Sequence, residues 1–234
     1  MERLGIVGGS AFLDELPAGL EQRVVDTGHG IVRVHVGAAA VFLRRHGDGE
    51  YHLPHRVPHL AHALAFVELG VRRAVGLCSV GGLRPELGPG TVVVPDDYLS
   101  FHPPPTSAVD ERLHIVPRLD DDLRQRLLGV ARATDGPVRD GGVYAETHGP
   151  RFETRAEVRL LAGHADMVGM TAASEATIFQ ERGIAYAILA MVDNHAHGVG
   201  AEPLTFEAVE RQLARNARRA HAILRALLEP DPRA

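Results

Sequence analysis

Apolar residues fall along the chain in short runs broken by glycine, proline and charge, the pattern of buried strands alternating with amphipathic helices. Leu4 to Val7 ends in Gly8, Gly9 and Ser10 and reads as a buried strand opening into a tight loop. Val32 to Val36 and Val41 to Leu43 read as further strands. Leu60, Leu64 and Val67 share one helical face, which Gly70 ends before a strand over Ala74 to Cys78 and the turn-forming pair Gly81 and Gly82. Val92 to Val94 is a strand, Ser100 to Leu113 a polar, proline-rich surface loop, and Asp121 to Ala133 a helix. After a strand at Val143 to Glu146, Thr154 and Glu157 form a capping-box start for a helix ending near Gly163. Met167 to Met170, the helix Ser174 to Arg182, the strand Ile184 to Met191 and a helix from Thr205 to Leu228 complete the order. Such alternation predicts an α/β fold: one domain over residues 1–229, with a twisted mixed sheet flanked by helices. Pro230 and Pro232 mark a flexible tail at 230–234.

Composition narrows the chemistry. A net charge of -5 gives no reason to expect nucleic acid as a partner, and no run approaches the length of a membrane span. One cysteine, Cys78, rules out an internal disulfide framework and suits a reducing compartment, so a cytoplasmic location is expected. All 25 basic residues are arginine, which removes Schiff-base chemistry and a phosphate-loop lysine. Any phosphate must be held by arginine, backbone N–H groups and hydroxyls.

Donors of that kind stand at the ends of predicted strands, where ligands gather in open α/β sheets. The hydroxyls of Ser10 and Thr171, the Arg45 guanidinium, His46 and the backbone N–H of Ser79 are the set able to surround one phosphate.

The matching stretches are GlyIleValGlyGlySer at 5–10, ArgHisGly at 45–47, LeuProHisArgVal at 53–57 and SerValGlyGlyLeuArg at 79–84. GlyProArgPheGluThr at 149–154 and ValGlyMetThr at 168–171 follow. In these, over nearly its whole length, the chain resembles the trimeric purine nucleoside phosphorylase and methylthioadenosine phosphorylase family. The resemblance implies the nucleoside phosphorylase fold, a homotrimer, and no cofactor beyond inorganic phosphate as co-substrate. It implies phosphate contacts from Ser10, Arg45, His46, Ser79 and Thr171, with Met170 against the ribose and Phe152 on the purine face. It also implies that Glu153 and Asn194 bind the base. The 6-oxopurine enzymes of the family carry PheGlu and an asparagine at these points, whereas the adenine-selective branch carries PheSer and an aspartate.

Hydrogen-bond polarity gives the same answer. An ionised Glu153 accepts from N1–H of a 6-oxopurine, and Asn194 donates to O6 or accepts from N7–H. The catalytic set is therefore Arg45, Glu153 and Asn194, acting electrostatically on a ribosyl-cation-like transition state. At the 5′ end Phe206 stands where hydroxyl-accepting relatives place a histidine, which favours a methylthio substituent; His114 resembles a residue contributed by a neighbouring subunit. Methylthioinosine is the expected substrate, with inosine and guanosine next. Glu50 stands where relatives often have histidine, and Cys78 replaces a threonine or asparagine. Three alternatives stay open here. They are a methylthioadenosine phosphorylase, a metal-binding hydrolase built on His55, His59, His62, His195 and His197, and a nucleoside-binding protein weakened by Glu50 or Cys78.

Overall fold

A computed structural model describes residues 3–9, 16–102, 106–107, 114–201 and 204–229, together with the backbone but not the side chain of Phe206. The predicted Ser10, most of the Ser100–Leu113 loop and the tail at 230–234 lie outside the described residues.

Among the described residues, eleven strands form one mixed sheet. In chain order they are β1 (Leu4–Gly8), β2 (Glu21–Asp26), β3 (Ile31–Val36), β4 (Ala40–Arg44), β5 (Arg73–Gly82) and β6 (Val92–Val94). Then follow β7 (Asp97–Ser100), β8 (Val138–Asp140), β9 (Val143–Glu146), β10 (Met167–Gly169) and β11 (Ala185–His195). The helices are α1 (His59–Glu68), α2 (Asp121–Arg132), α3 (Arg155–Leu161), α4 (Ala172–Glu181) and α5 (Phe206–Leu228).

The sheet is built around β5. Its first half lies parallel to β1, its last two residues pair antiparallel with β10, and β11 runs parallel along its whole other edge. Alternation sorts the side chains of these central strands. Ala74, Cys78 and Val80 of β5, with Tyr186, Ile188, Ala190 and Val192 of β11, pack under α1 and α4. Val75 and Leu77, with Ala187, Leu189 and Met191, pack against Leu123, Leu127 and Leu128 of α2 and Ile223 and Leu227 of α5. Each such buried leucine or isoleucine contributes about 1.5–3 kcal/mol through removal from water. Covering both faces with helices is what allows near-continuous apolar strands.

The predicted elements form, with local corrections. The strand expected at Ala74–Cys78 continues to Gly82, because β11 and β10 lie beside it; Gly81 and Gly82 are strand residues, not a loop. The strand expected at Ile184–Met191 likewise runs on to His195. Strands β2, β7 and β8 had no period-2 apolar signal: only Val25 of β2 is buried, and β7 exists through its pairing with β9. The capping box is present, with Thr154 and Glu157 satisfying each other's backbone N–H, and Gly70 stops α1 at φ +72.

Close packing at β5 predicts a contrast between two glycines. A Cβ on Gly82 would stand 2.1 Å from the Leu87 carbonyl oxygen, whereas one on Gly129, on the exposed face of α2, meets nothing within 4 Å. Gly82→Ala is expected to destabilise the fold by about 1–3 kcal/mol and Gly129→Ala to stabilise it by about 0.5–1 kcal/mol. Urea titration of both variants checks this; equal effects would show that the Gly82 contact is not tight.

Candidate active site

Pairing to β1 ends at Leu77 and pairing to β10 begins at Gly81, so no strand of the described residues flanks Cys78, Ser79 and Val80 on that edge of β5. A cavity of about 550 Å³ opens at this gap. Into it come Arg45 and His46 from the end of β4, Ser79 and Gly81 from β5, and Met170 and Thr171 from the β10–α4 junction. Phe152 and Glu153 line it from the segment leading into α3, Asn194 from β11, and Val209 and Glu210 from α5. Eight of the residues expected at the site are thus brought together. Ser10 lies outside the described residues, as does the side chain of Phe206, whose backbone opens α5. His114 is exposed and does not line the cavity of a single chain.

Arg45 is placed otherwise than a guanidinium simply turned toward an anion. It is 1% exposed and grips Glu175 of α4 through Nε at 2.5 Å and Nη2 at 2.9 Å. Nη1 donates to the Leu77 carbonyl at 2.8 Å, and Nη2 reaches the Cys78 sulfur at 3.5 Å. Tyr186 donates to the same Glu175 carboxylate at 2.5 Å. Burial opposes both charges, yet each ion holds the other: the Arg45 pKa stays well above its ordinary value and that of Glu175 below. The fork retains a limited share of its five donors for a ligand. Gly76 makes room for this pair, since a Cβ there would meet the Tyr186 hydroxyl and the Glu175 carboxylate.

The polar groups around Arg45 have defined hydrogen-bond directions. His46 is buried and stacks on Tyr51 with ring centroids 5.0 Å apart. Its Nδ1 lies 2.8 Å from the His52 carbonyl, which can only accept, so Nδ1 carries the proton. Burial, with Arg45 beside it, lowers the His46 pKa to about 4. The ring is therefore neutral near pH 7, and its Nε2 is an acceptor. Thr171 occupies the N-cap of α4 without capping it. The helix N–H groups of Ala172 and Ser174 are instead taken by the Tyr144 hydroxyl and Glu146. The thiol of Cys78 is pushed up to about 12 by burial and stays neutral. Glu50 is exposed and lines a separate cavity of about 240 Å³.

At the other end of the cavity, Glu153 is 7% exposed and accepts from the Thr147 hydroxyl at 2.6 Å on Oε1. Asn194 Nδ2 donates to the His195 carbonyl at 2.8 Å, which fixes its amide orientation. Phe152 is 41% exposed beside this carboxylate and offers an open aromatic face. Met170 lies against Gly149, where a Cβ would stand 2.6 Å from its sulfur.

Several buried polar residues were not anticipated: Glu175, Tyr186, Asp193 and Asn216. A signal exists for two of them, because Glu175 and Asp193 are lone charges inside apolar runs, AlaAlaSerGluAla and AlaMetValAsp. The histidines of the metal reading scatter. His55 sits on a 3-10 turn, Pro54–Arg56, while His59 and His62 are buried in α1. Among the described residues, no group of three or more His, Cys, Asp or Glu is placed to hold a metal ion. No helix of the described residues is long and apolar enough to cross a membrane.

Comparison with known proteins places this site in company. The sequence profile of the Phosphorylase superfamily matches residues 3–229. A probable 6-oxopurine nucleoside phosphorylase of Archaeoglobus fulgidus is 38% identical over 221 residues, 92% of this chain and 91% of that protein. A probable S-methyl-5′-thioinosine phosphorylase of Methanopyrus kandleri is also 38% identical over 221 residues, 89% of this chain and 85% of that protein. Among solved structures, methylthioadenosine phosphorylase from Schistosoma mansoni in complex with adenine superposes with a TM-score of 0.89 at 25% identity. The match covers 97% of this chain and 91% of that one.

The Arg45–Glu175 pair yields a stability prediction. Removing either partner leaves a charge in a site at most 1% exposed, so Arg45→Met and Glu175→Leu are each expected to cost about 3–5 kcal/mol. The double variant should cost clearly less than the two single losses together. Urea denaturation of the four proteins measures the cycle, and strictly additive losses would remove the pair as a structural unit.

Proposed function

The chain belongs to the Phosphorylase superfamily, and we propose that it catalyses phosphorolysis of a 6-oxopurine nucleoside, releasing the free base and a ribose 1-phosphate. The observation that carries this reading is the pairing of Glu153 and Asn194 at one end of a cavity whose other end holds Arg45, His46, Ser79 and Thr171. With Oε1 of Glu153 engaged by Thr147, Oε2 is left to accept N1–H of the base. Asn194, with one N–H on the His195 carbonyl, keeps Oδ1 for N7–H and a second N–H for O6. Adenine offers neither N1–H nor O6. Phe152 packs on the purine face and Met170 on the ribose.

The phosphate end suits monohydrogen phosphate. Its single O–H donates to the bare Nε2 of His46. Its remaining oxygens accept from the Thr171 hydroxyl, the free donor capacity of Arg45, the Ser79 backbone and the Ser10 hydroxyl. Held beneath C1′, the anion stabilises the growing positive charge on the ribose and then attacks, while Asn194 stabilises the departing base. Excluding water from the cavity limits competing hydrolysis. No cofactor enters this scheme.

The 5′ substituent is proposed to be methylthio, giving S-methyl-5′-thioinosine as substrate ahead of inosine and guanosine. Support comes from the Methanopyrus kandleri relative and from Phe206 at the start of α5. The chain is proposed to act in the cytoplasm as a homotrimer; the exposed position of His114 supports its completing a neighbour's 5′ site.

A substrate panel tests the reading. Methylthioinosine, inosine, guanosine, methylthioadenosine and adenosine are each assayed with and without phosphate. The expected result is phosphate-dependent release of hypoxanthine or guanine, with adenine nucleosides poorer by as much as about 10⁴-fold. Glu153→Ser with Asn194→Asp is expected to narrow or reverse that ratio. Turnover of methylthioadenosine alone by the unaltered enzyme would overturn the assignment of the base.

A further inference from the structure

Ser79 and Asp193 end two apolar rows of the sheet, Val75–Leu77 on β5 and Leu189–Met191 on β11, both on the face packed against α5. At Asp193 the pairing of β11 with β5 slips by one residue, between Val192 and Asn194. This bulge turns the aspartate inward, where it is 2% exposed. Its Oδ2 accepts the hydroxyl proton of Ser79, and its Oδ1 accepts from Asn216 Nδ2 of α5 at 2.6 Å. Asn216 cannot turn away, because Nδ2 also donates to the Val192 carbonyl at 3.0 Å and Oδ1 accepts from Gln212 at 3.0 Å.

A serine hydroxyl has one proton. While Asp193 is ionised, it holds that proton, and the Ser79 oxygen offers only lone pairs to the cavity it lines. An anion arriving there meets electron density in place of a donor. We propose that Asp193 is a positioning residue that takes up one proton from solvent as phosphate binds. It then donates O–H to Ser79 Oγ, so that Ser79 turns its own proton onto the phosphate. Only O–H bonds form and break in this exchange, and the proton returns to solvent when the sugar phosphate leaves. The inference rests on the phosphate-site reading of Ser79 given above.

The surroundings suit such a step. Burial raises the Asp193 pKa to about 6, and the bonds from Ser79 and Asn216 hold it back from rising further. The groups facing it, Ser79 from β5, Asn216 from α5 and its neighbours Val192 and Asn194 on β11, are all neutral. The charged side chains of the same cavity wall are Arg45, Glu153 and Glu210. A bound dianion adds negative charge and favours the protonated carboxyl.

Sulfate is the probe, because it is a dianion throughout the neutral range and brings no proton. Titration calorimetry at pH 7.5 in buffers of different ionisation heat counts protons taken up per sulfate bound by the wild type, Ser79→Ala and Asp193→Asn. Uptake by His46 is common to all three and cancels in the comparison. The wild type is expected to take up close to one proton more than either variant. Its affinity should fall more steeply with rising pH, by up to tenfold per unit. Asp193→Asn, whose amide donates to Ser79 at any pH, is expected to bind sulfate at least as tightly as the wild type at pH 7.5; a purely structural aspartate would give weaker binding. Equal proton uptake by the three proteins overturns the coupling alone. Failure of the wild type to bind either sulfate or phosphate overturns the phosphate-site reading and the coupling with it.

Discussion

The ion pair between Arg45 and Glu175 is the interaction on which the cavity depends. It ties the end of β4 to α4 and, through Tyr186, to β11, under a sheet edge where no strand of the described residues flanks Cys78 to Val80. The Nη1 bond to the Leu77 carbonyl fixes the fork at the point where β1 stops pairing. A buried pair of this kind is weak evidence for added stability over an apolar core, but with one partner missing it leaves an uncompensated charge. Its value lies in geometry: it holds a guanidinium in the wall of the cavity while neutralising most of its charge.

That neutralisation changes how the proposed phosphate end is to be understood. The site is a set of directed donors and acceptors more than a concentration of positive charge. His46 is neutral and accepting, Thr171 has a hydroxyl that its own helix does not use, and Ser79 has its proton committed to Asp193. In such a site the number of protons on ligand and protein decides which contacts form, since each hydroxyl donates once. The proposed base end follows the same accounting, with Thr147 and the His195 carbonyl each engaging one half of Glu153 and Asn194.

Much of this was legible in the sequence. The central strands and the five helices of the described residues announced themselves through apolar periodicity, glycine stops and the Thr154–Glu157 capping box. Eight of the expected site residues line one cavity, because the motifs carrying them fall at strand ends of a single sheet. Less visible were elements whose cause is tertiary. β2 and β7 owe their extended form to neighbours, and β5 runs through Gly81 and Gly82 because two strands lie beside them. The partners of Arg45 and Ser79 were hidden for the same reason: Glu175 and Asp193 stand 130 and 114 residues away in the chain. Their only local mark was a charge inside an apolar run.

The central claim is that phosphate, held beneath the sugar, is the group that displaces the purine. Running the reaction on inosine with phosphate carrying heavy oxygen, and locating the label in the sugar product by mass spectrometry and phosphorus NMR, tests it most directly. The expected product is ribose 1-phosphate with a labelled oxygen bridging C1 and phosphorus. Free ribose, with its C1 oxygen drawn from water, would contradict it.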